Sequence, residues 1–206
     1  MKKFAAAAGI VLLFLSLAVV PAQAVQIAGK GAKLGLSLAN WSGEDVEDND
    51  ARMSFALGGF LSFNISGDFS VQPELLFVQK GTKWEDGGAK LVFRLSYLEV
   101  PVLAKYSFAA GPSLKVFVFG GPAFAFKVGA TSYFEWEGES ETEDIEEMKS
   151  LDLGLAFGAG VEMPLGANRL TLDLRYTLGL ANCCEVEGED LKVKNGALLI
   201  MAGIGF

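Results

Sequence analysis

Histidine is absent from all 206 residues. That removes the commonest general base and the commonest nitrogen ligand for metals, and with them most hydrolase and metalloenzyme chemistry. Cysteine occurs only as the adjacent pair Cys183 and Cys184, too little to define a disulfide framework. After the N-terminal segment no apolar run is long enough for a membrane-spanning helix, and helical periodicity is nearly missing. Positive charge is scarce too, with 17 Lys and Arg against 25 Asp and Glu. A chain this acidic is a poor partner for nucleic acid, or for anionic headgroups contacted directly.

The N-terminus carries an address. Lys2 and Lys3 precede an apolar run from Phe4 to Val20, followed by "PAQA" with Ala22 and Ala24 in an A-x-A arrangement. This predicts a secretory signal peptide over residues 1–24, cleaved after Ala24; an uncleaved anchor is the alternative. Cleavage takes away two lysines and no acid, moving the net charge from −8 to −10. The remainder, residues 25–206, has the size of one domain and no obvious linker.

What the sequence does have is period two. In "LTLDLRYTLGL", residues 170–180, an apolar side chain recurs at every second position, with Thr171, Asp173, Arg175, Thr177 and Gly179 between. Such alternation means a β-strand with one oily and one polar face. Eight segments read this way: 32–40, 53–65, 69–79, 91–106, 114–128, 151–163, 170–180 and 196–206. The phase of the fourth slips near Ser96–Leu98, which predicts a β-bulge.

The connections carry the topology. "WSGEDVEDNDAR", "KGTKWEDGGAK", "GATSYFEWEGESETEDIEEMKS" and "NCCEVEGEDLKVKN" are long; "SGD", "SFAAGPS" and "PLGAN" are short, and the two kinds alternate without exception. An all-β, eight-stranded antiparallel up-and-down barrel would gather the long loops at one end and both termini at the other. That is the layout of a transmembrane barrel of the Gram-negative outer membrane, with termini and short turns periplasmic. Closure pairs every backbone group, so no sheet edge meets lipid.

In that setting the leucines face outward into outer-membrane lipid and lipopolysaccharide. The polar face then fills the lumen, where Glu74, Arg94, Glu99, Lys105, Glu162, Asp173 and Arg175 must neutralise one another. Gly154, Gly158 and Gly160 share the register of Asp152 and Glu162 and leave room for long side chains opposite. An eight-stranded barrel is only wide enough to be filled by its own side chains, so Arg94, Lys105, Arg175 and Tyr97 predict a plugged lumen.

The chain ends "ALLIMAGIGF", with Leu198, Ile200, Ala202, Ile204 and Phe206 in one register. A terminal aromatic closing an alternating strand resembles the signal by which outer-membrane barrels are recognised for insertion. Together with "SVQPELLFVQKGTKW", "YLEVPVLAKY", "FVFGGPAFAF" and "LGLAFGAGVEMPLG", it resembles the PorT-like outer-membrane β-barrel domain family over nearly the whole mature chain. The resemblance implies this fold and compartment and, through the namesake, an association with protein secretion. It carries over no catalytic, cofactor or metal residues.

Three further features invite a role. One loop crowds Glu135, Glu137, Glu139, Glu141, Glu143, Asp144, Glu146 and Glu147, and another Glu44, Asp45, Glu47, Asp48 and Asp50. Such loops read as solvated and charge-repelling, or as oxygen ligands for divalent cations. Cys183 and Cys184 allow a strained vicinal disulfide, an intermolecular bond or two free thiols. Trp41, Phe60, Trp84, Tyr106, Phe108, Phe124, Trp136 and Tyr176 include several at strand ends, as interface girdles require, whereas Trp84 and Trp136 lie deeper in loops where a partner would meet them. The leading expectation is a non-enzymatic barrel, without cofactor, that offers its loops to a protein partner as an adhesion, structural or secretion component. A narrow solute channel and a soluble lipocalin-like barrel are the alternatives.

Overall fold

The computed structural model describes residues 26–46, 48–184 and 192–206. The predicted signal peptide and Glu47 lie outside these residues. Nine strands follow one another: β1 (Gln26–Ser42), β2 (Asp50–Ser66), β3 (Phe69–Asp86), β4 (Ala89–Ala109), β5 (Lys115–Trp136), β6 (Glu139–Asp144), β7 (Leu151–Leu165), β8 (Asn168–Gly179) and β9 (Lys194–Gly205). Eight of them close a ring in the order β4-β3-β2-β1-β9-β8-β7-β5 and back to β4, every pairing antiparallel. β6 stands outside the ring, laid against the far end of β5. All eight expected segments fall on ring strands.

The ring shows which face is which. Leu172 and Leu174 are 45% and 51% exposed, whereas Thr171, Asp173, Arg175 and Thr177 between and beside them are buried. Leu34, Leu36, Phe55, Leu57, Leu155, Phe157 and Ile200 continue this apolar wall around the neighbouring strands. The polar side is the inside, and a soluble barrel with a greasy interior does not describe this molecule.

Two expectations are corrected. "KGTKWEDGGAK" is not a loop: β3 runs on to Asp86 and β4 begins at Ala89, joined by Gly87 and Gly88. Both glycines have positive φ, 54° and 91°, as a two-residue hairpin turn requires. The bulge lies at the expected level, but the extra residue is Val128 of β5, between the pairs Ser96↔Gly129 and Tyr97↔Lys127. β4 therefore keeps one phase throughout, with Leu95, Tyr97, Glu99, Leu103 and Lys105 all buried inside. Arg94, an even-numbered neighbour, points away from the lumen and lies 5.0 Å from the ring of Tyr133.

The β7 glycines make the interior possible. A Cβ on Gly158 would come within 2.7 Å of the Phe119 ring and 3.0 Å of Arg175 Cα. One on Gly160 would meet the Phe117 ring at 2.5 Å and Asp173 Cβ at 2.8 Å. The space is taken first by phenylalanines, over which Lys105 and Arg175 then lie. Replacing Gly158 with leucine should therefore block closure. On gels run without heating, the compact, heat-modifiable species is expected to vanish, while Leu155→Ala on the outer wall should retain it.

Candidate functional site

Inside the ring, charge and hydrocarbon are stacked in tiers. In the middle, Lys33 of β1 reaches Glu74 of β3 at 3.0 Å and Asp173 of β8 at 2.8 Å. Arg175 Nη1 donates to the second oxygen of Glu74 at 2.7 Å, and its Nη2 lies 3.7 Å from Asp173. Gln72 Nε2 adds a 2.7 Å bond to Glu74. Two cations and two carboxylates thus share one enclosed space, and each charge meets an opposite one.

A second group sits towards the long-loop end. Lys80 pairs with Glu99 at 2.7 Å and lies 3.9 Å from Asp152. Asn195 donates to Asp152 at 2.9 Å and to the Tyr97 hydroxyl at 3.2 Å, and accepts from Trp41 Nε1 at 3.0 Å. At the terminal end Lys105 and Arg169 both approach Glu162, at 3.6 and 3.8 Å. Between the tiers lie apolar clusters, one of Leu76, Val78, Leu199 and Met201 with small residues and one around Leu103, Phe117 and Phe119. Of the expected interior charges, Glu74, Glu99, Lys105, Glu162, Asp173 and Arg175 are there, all in ion pairs; Arg94 is not.

Sequence reasoning missed Lys33, Lys80 and Asn195. Lys33 alternates with the outward Leu34 and Leu36, so its inward position was readable. Lys80 follows directly on the apolar alternation that ends at Gln79, in a stretch of β3 whose glycine and charges resemble a loop.

The tryptophans also move. Trp41 is buried rather than lipid-facing, and Trp84 packs edge-on against it at 5.9 Å, with Phe93 4.8 Å from Trp41. These three rings cap the interior, so Trp84 is not presented to a partner. Phe60 lies beneath the Lys33 ammonium, 5.4 Å from it, on the lumen side. Tyr106 and Phe108 do face outward near the terminal end, as a girdle requires.

Beyond the ring at the other end, β3, β4, β5 and β6 rise together as a four-stranded wall. The acidic loop is therefore partly a ribbon. Glu137 and Gly138, both at positive φ, turn β5 into β6, whose six residues are all exposed. Paired residues share a face, so Phe134 and Trp136 stand with Glu141 and Glu139, and Ser132 with Glu143. Both aromatics are nearly half exposed. On β3 and β4, hydrogen bonds from Lys83 and Lys90 hold the Glu85 carboxyl below the usual range. The first acidic loop is engaged differently: Glu44 pairs with the Lys192 ammonium and Asp45 accepts from the Lys192 amide, tying that loop to the β8–β9 connection. Among the described residues no three His, Cys, Asp or Glu side chains converge as a metal site.

A closed antiparallel ring with an apolar wall and a self-neutralised polar filling defines an integral outer-membrane β-barrel. The chain belongs to the outer membrane protein beta-barrel domain family, whose model matches residues 23–185, and its place is the bacterial outer membrane. No curated protein matches the sequence. Among solved structures, Neisserial surface protein A shares the fold, at 12% identity and a TM-score of 0.51, covering 85% of this chain and 95% of that one. Ail, the attachment invasion locus protein of Yersinia pestis, is 18% identical with a TM-score of 0.45, covering 88% of this chain and all of that one.

The central cluster makes a stability prediction. Removing one member of a buried charge network leaves its partners uncompensated, at a cost of about 3–5 kcal/mol. Arg175→Ala should lower the unfolding free energy of the lipid-embedded barrel by that amount in urea titrations. A change below about 1 kcal/mol, the ordinary worth of a solvated pair, would show that the cluster is not dry.

Proposed function

We propose that this chain is a non-enzymatic surface barrel whose wall of β3 to β6 docks a partner bearing basic side chains. The long connections then face the cell exterior and both termini the periplasm. One observation carries the reading: Phe134, Trp136, Glu139, Glu141 and Glu143 share a single exposed face. Aromatic faces and carboxylates side by side suit lysine or arginine, which gain both ring contact and ion pairing. Hairpins with tight turns hold that face in place, so docking costs less ordering entropy than it would from a floppy loop. A polyanion such as the heparin analogue bound by Ail would be repelled by these carboxylates. The PorT-like resemblance would make the partner a component of a secretion assembly.

The channel reading is less well supported, because Arg175, Tyr97, Glu99, Leu199 and Met201 are all completely buried within the barrel. Reconstituted protein is expected to give no steady single-channel steps in planar bilayers.

The docking reading is tested with a lysine-rich peptide on cells displaying the barrel. Binding that weakens with salt, and that falls at least tenfold when Glu139, Glu141 and Glu143 become glutamine, is the expected result. Equal capture by both forms, or none by either, would reject the reading.

A further inference from the structure

Cys184 sets its sulfur beside two others above the filled lumen, where the β6–β7 and β8–β9 connections come together. Cys184 Sγ lies 3.7 Å from Met148 Sδ, and Cys183 Sγ lies 3.9 Å from Cys184 Sγ. The two thiols are not joined to each other. Met148 precedes β7 and the cysteines follow β8, so the group is assembled by the fold rather than by the sequence alone.

The backbone holds it firmly. Met148 and Cys184 form a single antiparallel bridge. The Lys149 amide donates to Cys183 O at 2.9 Å, and the Cys183 amide donates to Val193 O at 2.8 Å. Lys127 Nζ bonds the Met148 carbonyl from β5. Cys183 is fully buried and Met148 nearly so, packed with Trp41, Tyr97 and Val193 in the apolar cap of the lumen.

We propose that Met148, Cys183 and Cys184 form a binding site for a soft monovalent metal ion, Cu(I) or Ag(I). Thiolate and thioether sulfur select such ions, whereas hard cations ignore a thioether. Bonds of the zinc–thiolate length, about 2.3 Å, would set sulfurs about 3.8–4.0 Å apart around a tetrahedral or trigonal centre, and the larger Ag(I) would spread them a little further. The two separations in the structure, 3.9 and 3.7 Å, lie in or just below this span. Zinc would ask for a fourth strong ligand, and the nearby carboxylate of Asp152 is held by Asn195 at 2.9 Å and lies 3.9 Å from Lys80. On binding, each thiol yields its proton to water as its sulfur–metal bond forms. Neither the metal nor the protein changes oxidation state. The loaded site carries one net negative charge, beside the lysine at position 149.

The test uses the full barrel, folded in detergent without oxygen and titrated with Ag(I). One ion per chain should survive desalting and should protect both thiols from a thiol-reactive dye. Cys183→Ser with Cys184→Ser should abolish retention. Met148→Leu, which keeps both thiols, should weaken it at least tenfold while the heat-modifiable band stays unchanged. Retention indifferent to Met148→Leu would overturn the three-sulfur site, since the thiols alone would then account for binding. No retention by the wild-type chain, or thiols already locked in a disulfide that reductant does not open, would overturn it as well.

Discussion

An eight-stranded ring is too narrow to hold bulk water around its interior charges, and this constraint governs the molecule. Once the leucines of β8 face outward, Asp173 and Arg175 have nowhere to go but in. They are tolerable there only because Lys33 from β1 and Glu74 from β3 arrive at the same height. The cluster therefore specifies register as well as neutralising charge. A slip of one residue in any of these strands would turn its charge out into lipid and leave the others unpaired. Glycines of β7 and rings of β5 complete the filling, so side chains occupy the interior of the barrel like a solid pin.

Much of this was legible because period two is blunt. The alternation in residues 170–180 and the placing of eight strands needed no tertiary information, whereas the pattern of long and short connections holds only in part, since Gly87 and Gly88 alone join β3 to β4. Where the reading failed, the cause was specific. Arg94 falls on the inner face only if the bulge belongs to β4; the extra residue is Val128 of β5, and a single sequence cannot distinguish the two. Aromatics at strand ends usually lie at interfaces, which is where the sequence puts Trp41, and a tryptophan deep in a loop reads as a partner contact, which is how Trp84 reads. Only the convergence of β1, β3 and β4 turns them inward to cap the lumen.

The acidic ribbon gives a different lesson. Glutamate at every second position from 135 to 143 is itself a period-two signal. Apolar alternation is missing from it, and a strand above the membrane has no need of hydrophobic residues. β6 buries nothing and owes its existence to backbone pairing with β5 and to the tight turn at Glu137 and Gly138. Its charges also discourage edge-to-edge aggregation of a strand whose outer side pairs with no other described strand. Between this wall and the ionic filling lies the cap of Trp41, Trp84, Phe93 and the sulfur-bearing residues, which joins the surface elements to the pin below.

Placing a tryptophan at position 174, with Trp41, Trp84 and Trp136 replaced by phenylalanine, tests the sidedness most directly. In vesicles whose acyl chains carry bromine, its fluorescence should be strongly quenched, because that position faces hydrocarbon. Full fluorescence in a correctly folded barrel would mean that the leucine face of β8 is shielded from lipid, and the inside and outside described here would have to be exchanged.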